Sequence, residues 1–107
     1  MSLKDFNDQL DKIKIQLIDK FNPKEIIVFG SLAKGTFRDN SDIDLCIIKN
    51  TTNKRELLTE MYIEIDSEIP FDIILYTIEE WNNCKDDKSS FAYSIINTGV
   101  KIYGWYT

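Results

Sequence analysis

Histidine is absent from the 107 residues. Serine-histidine-aspartate triads, cysteine-histidine dyads and histidine-ligated zinc centres are therefore excluded in their usual forms. The two cysteines, Cys46 and Cys84, have no CxxC spacing and are too few for a four-thiolate centre. Two thiols in a chain able to bury its own core point to a reducing compartment, and the expected location is cytoplasmic. Four glycines and two prolines leave little material for a linker or a low-complexity tail. No apolar run approaches the roughly 20 residues that cross a bilayer. The opening Met1-Ser2-Leu3-Lys4-Asp5 turns polar too early for a signal peptide, so no membrane partner is expected. Positive charge is also scarce. The 13 Lys and Arg against 18 Asp and Glu leave a net charge of −5, which disfavours broad, charge-driven nucleic-acid binding. Chemistry in such a chain rests on carboxylates, on Lys and Arg, or on metals held by oxygen.

What is present reads as one domain over residues 1–107, with 43% hydrophobic and 29% charged residues. Leu3, Phe6, Leu10, Ile13, Leu17 and Phe21 recur at helical spacing, and Asn22-Pro23 stops that helix. Ile26-Ile27-Val28-Phe29 is a short run of β-branched and aromatic residues, read as a buried strand ending at Gly30. A turn-rich stretch over 30–41 precedes a second strand, Ile43 to Ile48. Asn53 with Glu56 forms a plausible cap for a helix carrying Leu57, Leu58, Met61, Tyr62 and Ile65, with Met61 and Tyr62 expected in the core and Pro70 as the breaker. Phe71 to Tyr76 reads as a third strand, and Thr77 with Glu80 as another helix start. Residues 91–98 read as helical, with Gly99 expected in the left-handed stop position and Val100 to Tyr103 as a last short strand. This order predicts an α/β (α+β) fold, a small mixed sheet flanked by helices.

The chemistry concentrates in Gly30-Ser31 and, ten residues further on, Asp42-Ile43-Asp44. A strand ending in Gly-Ser allows a sharp turn whose free N–H groups and serine hydroxyl suit a phosphate, with Lys34 and Arg38 adding charge. Asp42 and Asp44, two apart on a strand, point to the same face while Ile43 points to the other. Such a pair repels unless a cation lies between, and hard oxygen ligands favour Mg²⁺ or Mn²⁺ completed by substrate phosphates. Asp72, between Phe71 and Ile73, is a third carboxylate in an apolar context that wants a partner. If its strand neighbours the second, it joins the same face. Taken singly, Gly-Ser is an ordinary turn and Asp-x-Asp an ordinary surface pair. Together they make what two-metal phosphoryl or nucleotidyl transfer needs.

The 16 residues from Gly30 to Leu45, GSLAKGTFRDNSDIDL, resemble the signature of the nucleotidyltransferase superfamily related to DNA polymerase β, and in particular its minimal nucleotidyltransferases, the partners of HEPN toxins. The element order and Asp72 extend the resemblance over most of the chain. It implies that Gly30 and Ser31 hold the β- and γ-phosphates of ATP, with Lys34, Arg38 and Ser41 in the nucleotide-binding set. It implies that Asp42, Asp44 and Asp72 are catalytic and ligate two Mg²⁺ ions, Asp72 also helping to deprotonate the attacking hydroxyl. Lys34 stands where the family commonly has Arg, which keeps the charge and loses the bidentate fork.

A chain this short has no room for a second, acceptor-holding domain, so the acceptor is expected on another molecule or a second copy. The resemblance points to a HEPN-type toxin from the adjacent gene. The implied action is transfer of AMP from ATP to a tyrosine hydroxyl of that toxin, as the antitoxin of a type VII-like toxin–antitoxin pair. Two alternatives stay open: a catalytically silent antitoxin that neutralises by binding alone, and nucleotidyl transfer to a small-molecule hydroxyl.

Overall fold

The computed structural model describes residues 3–30, 33, 35 and 42–104. Its elements, in chain order, are α1 (Leu3–Phe21), β1 (Glu25–Phe29), β2 (Ile43–Ile48), α2 (Lys54–Glu64), β3 (Phe71–Tyr76), α3 (Ile78–Cys84), α4 (Phe91–Thr98) and β4 (Val100–Tyr103). The strands form one mixed sheet in the order β3-β2-β1-β4. β1 is antiparallel to β2 and β4, whereas β2 and β3 run parallel, joined across α2. The expected α/β (α+β) architecture is the one observed. None of the described helices is long and apolar enough to cross a membrane.

Strand alternation divides the apolar residues between two layers. Ile26, Val28, Ile43, Leu45, Ile47, Ile73 and Leu75 face α1 and α2, where they pack on Phe6, Ile13, Leu17, Leu57 and Met61. Ile27, Cys46 and Ile48 face the other way and pack on Trp81 of α3 and on Ala92 and Ile95 of α4. β1 and β2 are thus covered on both faces. That is why they read as near-continuous hydrophobic runs instead of alternating ones.

The local signals behave as capping chemistry requires. α1 ends where Asn22 adopts a left-handed φ of 48°, a conformation asparagine tolerates better than most residues. Asn53 caps α2 by accepting a hydrogen bond from the Glu56 N–H at 3.1 Å. Thr77 and Glu80 form a reciprocal capping box at the start of α3.

Three expectations need correction. α2 stops at Glu64, not at Pro70; residues 65–69 form a separate connection with Ile65 and Ile69 buried. Pro70 instead opens the parallel ladder, its carbonyl accepting from the Ile43 N–H at 3.0 Å. Met61 is fully buried, but Tyr62 lies outside the core. It reaches over the edge of β3, stacks on Phe71 with ring centroids 5.4 Å apart, and its hydroxyl accepts from the Ile73 N–H at 2.8 Å. A strand-edge donor is thereby satisfied, which blunts an edge otherwise open to pairing.

The third correction concerns Gly99. Its φ is −86°, so it is no left-handed stop. Space is the reason for glycine: a Cβ here would lie 2.6 Å from the Ile95 carbonyl oxygen, 2.8 Å from that of Val28 and 2.8 Å from Ile27 Cγ2. The end of α4 and the backbone of β1 approach too closely for a side chain.

Two glutamines of α1 fasten the connection that leads into β3. Gln16 donates to the Asp66 carbonyl at 2.7 Å and accepts from the Asp66 N–H at 2.8 Å. Gln9, two turns earlier, accepts from the Glu68 N–H at 3.1 Å. Replacing Gly99 with Ala should lower unfolding free energy by about 1–3 kcal/mol, the usual cost of overpacking a rigid contact. Urea denaturation reads this as a lower midpoint with unchanged slope; an unchanged midpoint would show that the contact relaxes freely.

Candidate active site

The carboxylates meet because of register. Phe29 of β1 is the cross-strand partner of Asp44, and Asp44 is the partner of Asp72 on β3. Asp42 precedes β2 by one residue, two positions from Asp44. Ile43, Leu45, Phe71 and Ile73 all turn toward α1 and α2. Asp44 and Asp72 therefore project from the opposite face, the one carrying α3 and α4. They lie at the sheet end where β1 finishes and β2 and β3 begin.

Gly30 completes this end of the sheet. Its φ is +76°, a left-handed conformation that carries little cost only for glycine. A Cβ here would lie 2.3 Å from Oδ2 of Asp44, so the Asp44 carboxylate rests against bare backbone. The same residue makes the turn and leaves room for the acid.

Burial pushes the Asp44 carboxyl above its ordinary value, and the negative charges of Asp72 and then Asp42 push it further. Among the described residues no Lys or Arg forms an ion pair with Asp42, Asp44 or Asp72. Nor do any three acidic or thiol side chains among them come together as a group that could by itself hold a metal ion. Among the described residues the arrangement is open, with hard oxygen donors and no paired cation. It fits Mg²⁺, which usually takes one or two carboxylates and completes its shell with water and substrate phosphates.

Asp72 is exposed, not embedded in the apolar context its neighbours implied. Phe71 and Ile73 turn to the other side, so its solvation is retained. Of the remaining expected site residues, Ser31, Lys34, Arg38 and Ser41 lie outside the described residues. A wide cleft of about 930 Å³ opens at the far end of the sheet, beside Asn50, Thr77 and Asn82. It lies away from all three acids, so the carboxylate row, and not volume, marks the reactive end.

Sequence reasoning missed the aromatic border of this site. Phe29 flanks Asp44 and meets Phe91 of α4 edge-on, with centroids 5.7 Å apart at 84°. The only available signal was the shared parity of Ile27 and Phe29 along β1.

Two outcomes are expected. Gly30→Ala should displace the Asp44 carboxylate and lose about 1–2 kcal/mol to left-handed strain. Thermal unfolding reads the loss, and a divalent-cation titration reads weakened binding; unchanged cation affinity would show that Asp44 does not need the bare backbone. The second concerns pH. The folded state holds the Asp44 proton more tightly than the unfolded state, so this group makes stability fall as pH rises from 3.8 through its raised folded value. Asp72→Asn removes a repelling charge and should move the Asp44 midpoint, followed by NMR, down toward 3.8. A fixed midpoint would mean the two acids do not interact.

The family model for the nucleotidyltransferase domain matches residues 10–94. No curated protein matches the chain. Among solved structures, an inferred nucleotidyltransferase aligns at TM-score 0.58 and 21% identity, covering 88% of this chain and 97% of that one. A second, from Sulfolobus solfataricus, aligns at TM-score 0.51 and 25% identity, covering 78% and 74%. A third is a toxin–antitoxin with AMP-PNP, at TM-score 0.55 and 24% identity, covering 89% and 73%. Because the family match runs from the middle of α1 to the middle of α4, and so takes in both strands that carry the carboxylates, the chain belongs to the nucleotidyltransferase domain family.

Proposed function

We propose that this protein, as a single nucleotidyltransferase domain, transfers AMP from ATP to a tyrosine hydroxyl of a HEPN-type toxin encoded by the adjacent gene, and so acts as the antitoxin. The observation that carries the reading is the row Phe29-Asp44-Asp72, three register partners across three strands, with Asp42 beside it and Gly30 turning underneath. The family match supports nucleotidyl transfer as the reaction class. The likeness to a toxin–antitoxin with AMP-PNP supports a toxin as the partner and an adenine nucleotide as the donor.

Asp42, Asp44 and Asp72 would hold two Mg²⁺ ions, which supply charge neutralisation at the triphosphate and activation of the attacking hydroxyl. Gly30 lets backbone approach the phosphates, and Ser31, Lys34, Arg38 and Ser41 are the further residues assigned to them. Asp72, exposed at the start of β3, would take the proton of an incoming hydroxyl. The hydroxyl oxygen forms its bond to the α-phosphorus while the bond from that phosphorus to the β-bridging oxygen breaks, and pyrophosphate leaves. Asp44, held by β1 on one side and β3 on the other, fixes the geometry in which this occurs.

Intact mass spectrometry of the adjacent gene's product, co-expressed with this protein, tests the reading. Mass additions equal to whole AMP units are expected with the wild type. Asp42→Ala and Asp44→Ala should each cut transfer more than about 100-fold, beyond the loss typical of a residue that merely supports a metal ligand. A partner that is bound and silenced without any mass addition would replace the reading with neutralisation by contact. Addition that persists in both variants would remove the carboxylates from the chemistry.

A further inference from the structure

Phe91 is the first residue of α4 and is 53% exposed. The core beneath α4 is filled by Ala92 and Ile95, so packing does not require an aromatic ring at this position. Its place is nevertheless well defined. Ser90 caps α4 by accepting from the Tyr93 N–H at 3.0 Å, and its hydroxyl donates to the Cys84 carbonyl at 2.5 Å, tying the start of α4 to the end of α3. The Phe91 ring is backed edge-on by Phe29. Phe29 in turn is the cross-strand partner of Asp44, a relation that sets Cβ atoms about 4.5–5.5 Å apart. Phe91, Phe29, Asp44 and Asp72 thus form one continuous row on one face of the molecule, apolar at one end and anionic at the other.

We propose that Phe91, supported by Phe29, is the platform on which the nucleobase of the donor nucleotide stacks. The inference rests on the nucleotidyl-transfer reading and extends it to a residue outside the carboxylate cluster. A nucleoside triphosphate is itself bipolar, with charge at the phosphates and a flat apolar face one ribose away. Phosphates held at the carboxylate row place the base within one nucleotide's reach of Phe29 and Phe91. Of the other exposed large apolar side chains, Leu3, Ile15, Tyr62 and Ile63 belong to α1 and α2 on the opposite face of the sheet, Val100 to β4, and Ile96 to α4 with Phe91. An aromatic face binds a base through stacking without reading its hydrogen-bonding edge, so the ring contributes affinity and little choice among bases.

Calorimetric titration of the full chain with ATP and, separately, with tripolyphosphate, both in Mg²⁺, tests this on wild type, Phe91→Ala and Phe91→Trp. Phe91→Ala should weaken ATP binding roughly 5- to 100-fold, while Phe91→Trp retains it and tripolyphosphate binds all three alike. ATP affinity unchanged in Phe91→Ala overturns the platform, as does an equal loss for ATP and tripolyphosphate, which would place the effect at the phosphate end. Loss of toxin capture with ATP affinity intact would assign Phe91 to the partner and likewise overturn it. A wild type that binds neither compound removes the nucleotidyl-transfer reading itself, an outcome distinct from all three.

Discussion

Asp44 and Asp72 lie side by side because β2 and β3 run parallel in a register that continues from Ile43↔Phe71 to Ile48↔Tyr76. Like charges on facing positions cost stability, and among the described residues no Lys or Arg pairs with either acid. The cost is sustained by the rest of the sheet. Leu45, Ile47, Ile73 and Leu75 are buried on the face toward α1 and α2, and Cys46 and Ile48 on the other. A one-residue slip would turn every one of them to the wrong layer. Hydrophobic burial therefore fixes the register, and the register imposes the repulsion.

The same constraint explains the surroundings of the acids. Gly30 is the residue over which the Asp44 carboxylate can rest, since any Cβ would occupy its space. The connection into β3 must deliver Phe71 at a defined height, and Gln9 and Gln16 hold that connection against α1. Tyr62 closes the outer edge of β3 by accepting from Ile73. These contacts involve α1, α2 and the 65–68 segment, far from the reactive face, yet each acts on where Asp72 stands. A reactive centre on strand ends supported by packed helices is more rigid than one carried on loops alone.

Much of the scaffold is legible in the residues themselves. The helical spacing from Leu3 to Phe21, the Asn53 and Thr77 caps and the β-branched runs at 26–29, 43–48 and 71–76 each report a local preference that burial reinforces. The errors occur where a residue serves a distant neighbour. Gly99 resembles a left-handed helix stop, but its role is set by the backbone of Val28. Tyr62 fits a helical stripe, but its hydroxyl is claimed by β3. Asp72 reads as an acid in an apolar context because its sequence neighbours are apolar, and alternation sends those neighbours to the other face and leaves Asp72 exposed.

Composition and spacing alone exclude histidine chemistry and a four-thiolate centre, set Asp42 and Asp44 two apart at the start of a strand and identify the turn at Gly30, because each is a property of residue type or of a period within a few positions. Whether Asp72 belongs with them was a question of which strand lies next to β2 and in what register. Only tertiary packing answers that, since the pairing joins residues 28 positions apart through a helix whose own sequence carries no record of the register. The aromatic border formed by Phe29 and Phe91 is likewise a product of packing: they stand 62 positions apart, and only the seating of α4 on β1 brings their rings into contact.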